Sequence, residues 1–175
     1  GLLNIQSEED EPSASRATNF TVVRLKRDLL KRSNVGVLYT RRDETGSGGA
    51  RTGQTVGLDG LYSLSAGLNV QGYYARTERP GVTGGNMSYL ARFDYNADRY
   101  GLQVERLKVG ETFNPEVGFL RRTDFVRNFV QARFSPRPAR NRLKAIRRFI
   151  YMGNIEYIEN TAGRLDFREQ EGLFE

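Results

Sequence analysis

Three consecutive stretches between Thr55 and Tyr95 alternate apolar with small or polar residues, and in each stretch one of the two faces carries no charge. The apolar sets are Val56, Leu58, Gly60, Tyr62 and Leu64, then Leu68, Val70, Gly72 and Tyr74, then Met87, Tyr89, Ala91, Phe93 and Tyr95. Opposite them stand Asp59, Ser63, Asn69, Gln71, Ser88, Arg92 and Asp94. A period of two means β-strands, and an uncharged face on successive strands means a sheet with an apolar medium on one side.

Clusters of Gly, Pro, Asn, Asp and Ser divide the chain into similar segments, which predict strands near 19–29, 34–42, 53–64, 68–77, 87–96, 100–109, 124–134, 148–158 and 164–171. Ten strand residues at about 3.3 Å each, tilted by about 40°, rise roughly 25 Å, the height of the apolar band of an outer-membrane barrel. Soluble strands average about five or six residues. The connections at 31–33, 65–67 and 97–99 are short, those at 42–52, 78–86 and 110–123 are long, and the two kinds alternate. Short periplasmic turns and long extracellular loops alternate in this way in transmembrane barrels. The parity puts the acidic segment 7–11 and the Gly-rich segment 45–49 outside, and it weakens after Phe134, where 136–147 makes a long inner turn and 160–163 a short outer one.

Composition narrows the chemistry. Among 175 residues there is no Cys and no His, which excludes thiol catalysis, disulfides, the common zinc sites and Ser-His-Asp triads. Lys and Arg outnumber Asp and Glu by 27 to 21, giving a net charge of +6, a bias compatible with anionic lipid or an anionic solute. Mean hydropathy is −0.60 and no run approaches the ~20 apolar residues of a membrane-spanning helix. A transmembrane barrel has the same low mean, because only alternate residues meet lipid. The first residues lack the basic start and apolar run of a signal peptide. Tyr39, Tyr62, Tyr74, Tyr89, Tyr95, Tyr100, Tyr151 and Tyr157 fall mostly near strand ends on the apolar face, as an interfacial girdle requires. A soluble sandwich with Tyr rings in its core is the competing arrangement.

The opposite face collects Arg24, Lys26, Asp59, Asn69, Gln71, Arg92, Asp94, Gln103 and Glu105, candidates for lining a polar lumen. Cross-strand pairing among them is the simpler role for the charged members. Asp59, Asp94 and Glu105 are the residues from which an acid/base pair of glycosidase type would be drawn, though no supporting motif accompanies them. Residues 135–148 form the most basic stretch, read as a basic turn near lipid phosphates or a short interfacial helix; it lacks the aromatics of a nucleic-acid arm. Gly46-Ser47-Gly48-Gly49 has no following lysine or helix and reads as a flexible loop. Glu8, Glu9, Asp10 and Glu11 lack the spacing of a calcium loop. No metal, cofactor or catalytic residue is expected.

Residues 1–6, 17–25 running on to 32–36, and 110–122 followed by 134–138 carry a further signal, of which Asn-Pro-Glu-Val-Gly-Phe at 114–119 is the most specific part. Together they resemble a bacterial outer-membrane family in which a carbohydrate-binding, family-nine-like domain precedes a β-barrel region of unknown function. The resemblance covers most of the chain up to Pro138. It implies an internal section of that barrel, an outer-membrane location and an association with polysaccharide handling, and it carries over no catalytic residue. Within the loop at 110–122, Phe113, Val117 and Phe119 are too apolar to stay in water, and Asn114-Pro115 suggests a turn, so an ordered loop folded over the pore mouth is expected.

The resulting expectation is an all-β, antiparallel, up-and-down transmembrane barrel or a section of one, 1–175 forming a single region, non-enzymatic, serving passive solute passage or surface attachment. Its partners would be outer-membrane lipid, a saccharide or small polar solute, and other chains that close the barrel, with no nucleic acid. The alternatives are a soluble all-β carbohydrate-binding module, with exposed Tyr stacking on sugar rings, and an adaptor that docks on a larger membrane assembly through its edge strands.

Overall fold

Alternation combined with a high content of Val, Leu, Tyr and Thr favours extended backbone, and turn residues at each break allow neighbouring segments to pair in sequence order. The computed structural model describes residues 1–9, 16–45, 51–138 and 147–175. It contains ten strands: β1 (Leu2–Ser7), β2 (Ala17–Leu29), β3 (Ser33–Thr45), β4 (Arg51–Ser65), β5 (Leu68–Glu78), β6 (Met87–Asn96), β7 (Tyr100–Val109), β8 (Phe125–Phe134), β9 (Tyr151–Glu159) and β10 (Leu165–Phe174). They form one sheet in sequence order, every neighbouring pair antiparallel. All nine expected strands are present. β1 is additional, paired with β2 from Leu2↔Val23 to Ser7↔Thr18.

The sheet is not closed. β1 pairs only with β2 and β10 only with β9, so of the two expected forms, a closed barrel or a section of one, the described residues are not the closed barrel but an open sheet with two edges. The described chain supplies no register between its first and last strands, and β1 reaches only to Gly1, whose carbonyl accepts the Arg24 amide, leaving Leu25 to Leu29 of β2 uncovered.

Cross-strand register sorts the side chains into two faces. The first carries the three apolar sets of the sequence, brought together by pairs such as Leu58↔Tyr74, Tyr74↔Tyr89, Val70↔Phe93 and Phe93↔Val104. Tyr100, Phe134, Tyr151 and Phe174 form an aromatic row at its short-turn end, with centroid separations of 5.3, 6.2 and 4.9 Å in that order. Charges on this face, including Arg41, Arg76, Lys108 and Glu159, lie in the long-loop halves of their strands, with Arg27 near the short turn as the exception. The second face is polar.

The ladder is sheared. Starting at Leu58, successive pairs lead through Tyr74, Tyr89, Lys108 and Val126 to Glu159, the last residue of β9. Leu58 lies seven residues inside β4, so the offset is seven residues in five strand steps. From the other end, Ser65 leads through Leu68, Tyr95, Leu102 and Ala132 to Gly153, two residues inside β9, so the offset there is two, and at about 3.3 Å per residue and 4.8 Å per strand the tilt is roughly 15–45°.

The short connections of the sequence are tight turns after β2, β4 and β6. Of the segments that sequence singled out, 46–49, 10–11 and the centre of the basic stretch, 139–146, lie outside the described residues. The flanks of the basic stretch are neither helix nor strand and are joined by the Phe149 amide donating to Pro136 O at 3.0 Å.

Candidate functional site

All nine residues expected to line a lumen lie on the polar face, as the register dictates: Lys26 and Asp59 flank Gly36 in one row, Asn69 pairs with Asp94, Gln71 with Arg92, Arg92 with Glu105, and Asp94 with Gln103. Arg24 reaches from β2 across β3 to form an ion pair with Asp59 on β4. Gly36 makes that reach possible, because a Cβ there would stand 2.5 Å from Arg24 Nη2. Asn69 accepts a hydrogen bond from Ser63 Oγ.

Further along the sheet the charges form a line with alternating sign. Arg92 donates to both oxygens of Asp94 at 2.8 and 3.0 Å and lies 3.8 Å from Glu105. Glu105 accepts from Arg127 Nη1 at 2.6 Å, and Arg127 Nε donates to Glu156 at 2.5 Å. The line Asp94, Arg92, Glu105, Arg127, Glu156 thus crosses β6 to β9, and Arg127 also sits 5.2 Å over the Phe129 ring. Sequence reasoning missed Arg127 and Glu156, although both keep the strand period. Asp59, Asp94 and Glu105 each contact an arginine, which is the pairing arrangement rather than two carboxylates facing each other across a substrate-sized gap.

Above this line the polar face changes character. Thr40, Thr55 and Thr77 pair in one row across β3, β4 and β5, and all three are buried. What buries them is the loop between β7 and β8. It turns back from Gly110 over the polar face, so that the Asn114 amide donates to Thr77 Oγ1 at 3.4 Å and Thr40 Oγ1 donates to Pro115 O at 3.3 Å. Phe113 is 7% exposed beneath it. Thr112 Oγ1 donates to Gly84 O at 2.6 Å, and Arg79 Nη2 to Thr112 O at 3.2 Å, tying the loop to the β5–β6 connection. Phe113, Asn114 and Pro115 of the loop thus lie against the polar face. Phe119 is a correction: it is 87% exposed, because the chain has already turned away past Gly118, which packs on Pro115.

The residue that sequence reasoning passed over is Glu116. Its side chain is 6% exposed and its backbone is left-handed at φ 59°. Asn114 Oδ1 accepts the Glu116 amide at 3.1 Å, and the Val117 amide donates to Pro115 O at 2.6 Å, which together hold this conformation. The carboxylate lies 3.2 Å from Arg79 Nε and 3.9 Å from Arg42 Nη1. The available signal was an acidic residue in an apolar loop, facing strand ends rich in arginine (Arg41, Arg42, Arg51, Arg79). Beside this cluster lies a cavity of about 520 Å³ bounded by Arg42, Glu44, Arg51, Thr52, Arg79, Asn114 and Glu116. Among the described residues no group of three or more acidic side chains converges on a metal position.

No family model, curated protein or solved structure matches this chain.

Proposed function

We propose that this chain is a section of a bacterial outer-membrane β-barrel whose polar face lines an aqueous passage for small polar solutes, with the 110–124 loop folded into that passage from the outer side. The observation that carries the reading is the uncovered apolar face. Among the described residues only Val109, Phe113 and Val126 are buried hydrophobics, while Leu25, Val37, Leu58, Tyr74, Leu102, Val130 and Ile155 all stand exposed on one side of the sheet. The accessible surface is 12295 Å², against roughly 8,700 Å² for a compact monomer of this mass. A face of this kind left in water forgoes about 25 cal/mol for every Å² of apolar surface it fails to bury, so an apolar medium must cover it.

The dimensions favour lipid as that medium. The uncharged run from Val56 to Leu64 rises roughly 23 Å at a tilt of about 40°, close to the apolar band of outer-membrane barrels. Charges above the band and an aromatic row below it match the two interfaces. The open edges are intolerable in hydrocarbon, so the reading requires further strands, from this polypeptide or other chains, to pair with β1 and β10. The family resemblance carried by residues 1–6, 17–25 with 32–36, and 110–122 with 134–138 supports the same location and adds polysaccharide handling as the setting. The mechanism is passive: Arg24, Lys26, Asp59, Arg92, Asp94 and Glu105 set the field that a solute crosses, with no reaction step and no cofactor.

A soluble carbohydrate-binding module would need a second layer packed on the apolar face, and none of the described elements provides one. An adaptor docking through β1 or β10 fits the free edges but leaves the apolar face unexplained. Reconstitution into planar bilayers together with the strands that complete the barrel tests the reading: discrete conductance steps are expected. A monodisperse β-rich chain in detergent-free buffer would overturn it.

A further inference from the structure

We propose that Arg42 and Arg79 form a binding site for the carboxylate of a small acidic solute, and that Glu116 of the chain's own loop occupies this site as a tethered stand-in. The two guanidiniums come from separate elements, Arg42 from near the long-loop end of β3 and Arg79 from just past the end of β5, and they converge on one carboxylate. The fit is by charge and not by hydrogen bonding. Glu116 Oε1 lies 3.2 Å from Arg79 Nε, close enough to pair electrostatically, yet the N–H is not aimed at it, and both Glu116 Oε1 and Arg42 Nε are buried without a hydrogen-bond partner. Guanidinium and carboxylate groups that are free to choose adopt short, parallel, two-pronged bonds. Glu116 cannot, because its left-handed backbone and the turn around Asn114 fix where its carboxylate points.

Two further features make the seat one for a solute. β4 has a glycine where the carboxylate lies: a Cβ at Gly53 would collide with the Glu116 carboxyl group. The adjoining cavity of about 520 Å³ has room for a molecule of monosaccharide size, with Asn114 on its wall to bond hydroxyls. Glu44 already pairs with Arg42 through Nη2. With Glu116 withdrawn, Arg42, Arg51 and Arg79 face Glu44 among the described residues that line the cavity, a surplus of positive charge suited to an acid. A solute that takes the seat displaces Glu116 and with it the hold of the loop on β3 and β4.

This inference deepens the pore reading, which it uses only for the direction from which the solute arrives. The test uses the full chain in detergent micelles, with D-glucuronate as probe, D-glucose as the uncharged control and sodium chloride to match ionic strength. In the wild type, glucuronate competes with a carboxylate at an effective concentration of order millimolar, so binding by calorimetry is weak and tryptic cleavage after Arg121 and Arg122 rises only at high probe concentration. Glu116→Gln removes the competitor and is expected to tighten glucuronate binding about tenfold or more, with glucose still silent. Adding Arg79→Gln to that variant is expected to abolish the gain. Equal affinity in wild type and Glu116→Gln, or a gain that survives Arg79→Gln, overturns the proposal, provided circular dichroism reports the same sheet. Conductance is recorded separately on the completed barrel: a barrel that binds but does not conduct sinks the pore reading alone, and one that conducts without binding sinks the site alone.

Discussion

Substituting Leu58 with Arg separates lipid from water as the medium on the apolar face. Leu58 is 53% exposed and stands between Val37 and Tyr74 in its row, one position from the centre of the Val56 to Leu64 run. If the face meets water, an exposed Leu changed to Arg shifts stability by no more than about 0.5 kcal/mol. If it meets hydrocarbon near mid-depth, the cost is about 2–4 kcal/mol, roughly 30- to 1000-fold in the folding equilibrium. Gln54 is the internal control: it lies on the same strand and face, four residues nearer the long loop, or roughly 10 Å higher at about 3.3 Å per residue and a tilt of about 40°. There Gln54→Arg should cost only about 0–1 kcal/mol. The assay is urea titration of vesicle-inserted chain, followed by far-ultraviolet circular dichroism or tyrosine fluorescence, the chain having nine Tyr and no Trp. Equal costs for the two variants would refute the depth argument, and with it the membrane reading of this face.

Three other outcomes follow from the geometry. Glu105→Gln leaves Arg92 and Arg127 without their shared carboxylate; it should cost about 1–3 kcal/mol of stability and move ion selectivity in bilayers toward anions, and unchanged selectivity would remove this line from the conduction path. Phe113→Ser should speed tryptic cleavage of the 110–124 loop several-fold, whereas Phe119→Ser should leave it unaltered; equal sensitivity would contradict the observed burial. Asp124 accepts from Thr161 Oγ1 and from the Thr161 amide at 3.1 Å, and these bonds, helped by Arg122, hold its carboxyl below the usual carboxylate range. A depressed folded value means that the contact contributes fully above about pH 4 and is lost as pH falls through the folded value. The Thr161 amide shift in NMR should follow that acid transition, and a shift that titrates near neutrality would rule the pairing out.

Strand order, strand limits and the division into two faces were legible because each depends on a period of two within about ten residues. β1 escaped for the same reason. Leu2-Leu3 breaks the alternation, six residues are too few to establish a period, and its partner Ala17–Leu29 lies beyond an acidic segment. Closure was not legible at all, since the pattern of a strand is identical whether its neighbour belongs to the same chain, to another, or is absent. The loop was half legible. Apolar Phe113 signalled burial, but Phe119 signalled it equally and is exposed, because what decides is the turn at Pro115 and Gly118. Glu116 was invisible for a deeper reason: its partners Arg42 and Arg79 lie far off in sequence, and no periodicity links a loop to a strand that it crosses.

The alternation of strand direction has a topological consequence. β1 and β10 run oppositely, since each of the nine neighbouring pairs between them is antiparallel. A ring that stays antiparallel throughout must have an even total, so this sheet can be completed by seaming its own edges, or by inserting two strands, or four, but never one or three. Whatever completes it must therefore bring an even number of strands, and the two that pair with β1 and β10 must run in opposite directions.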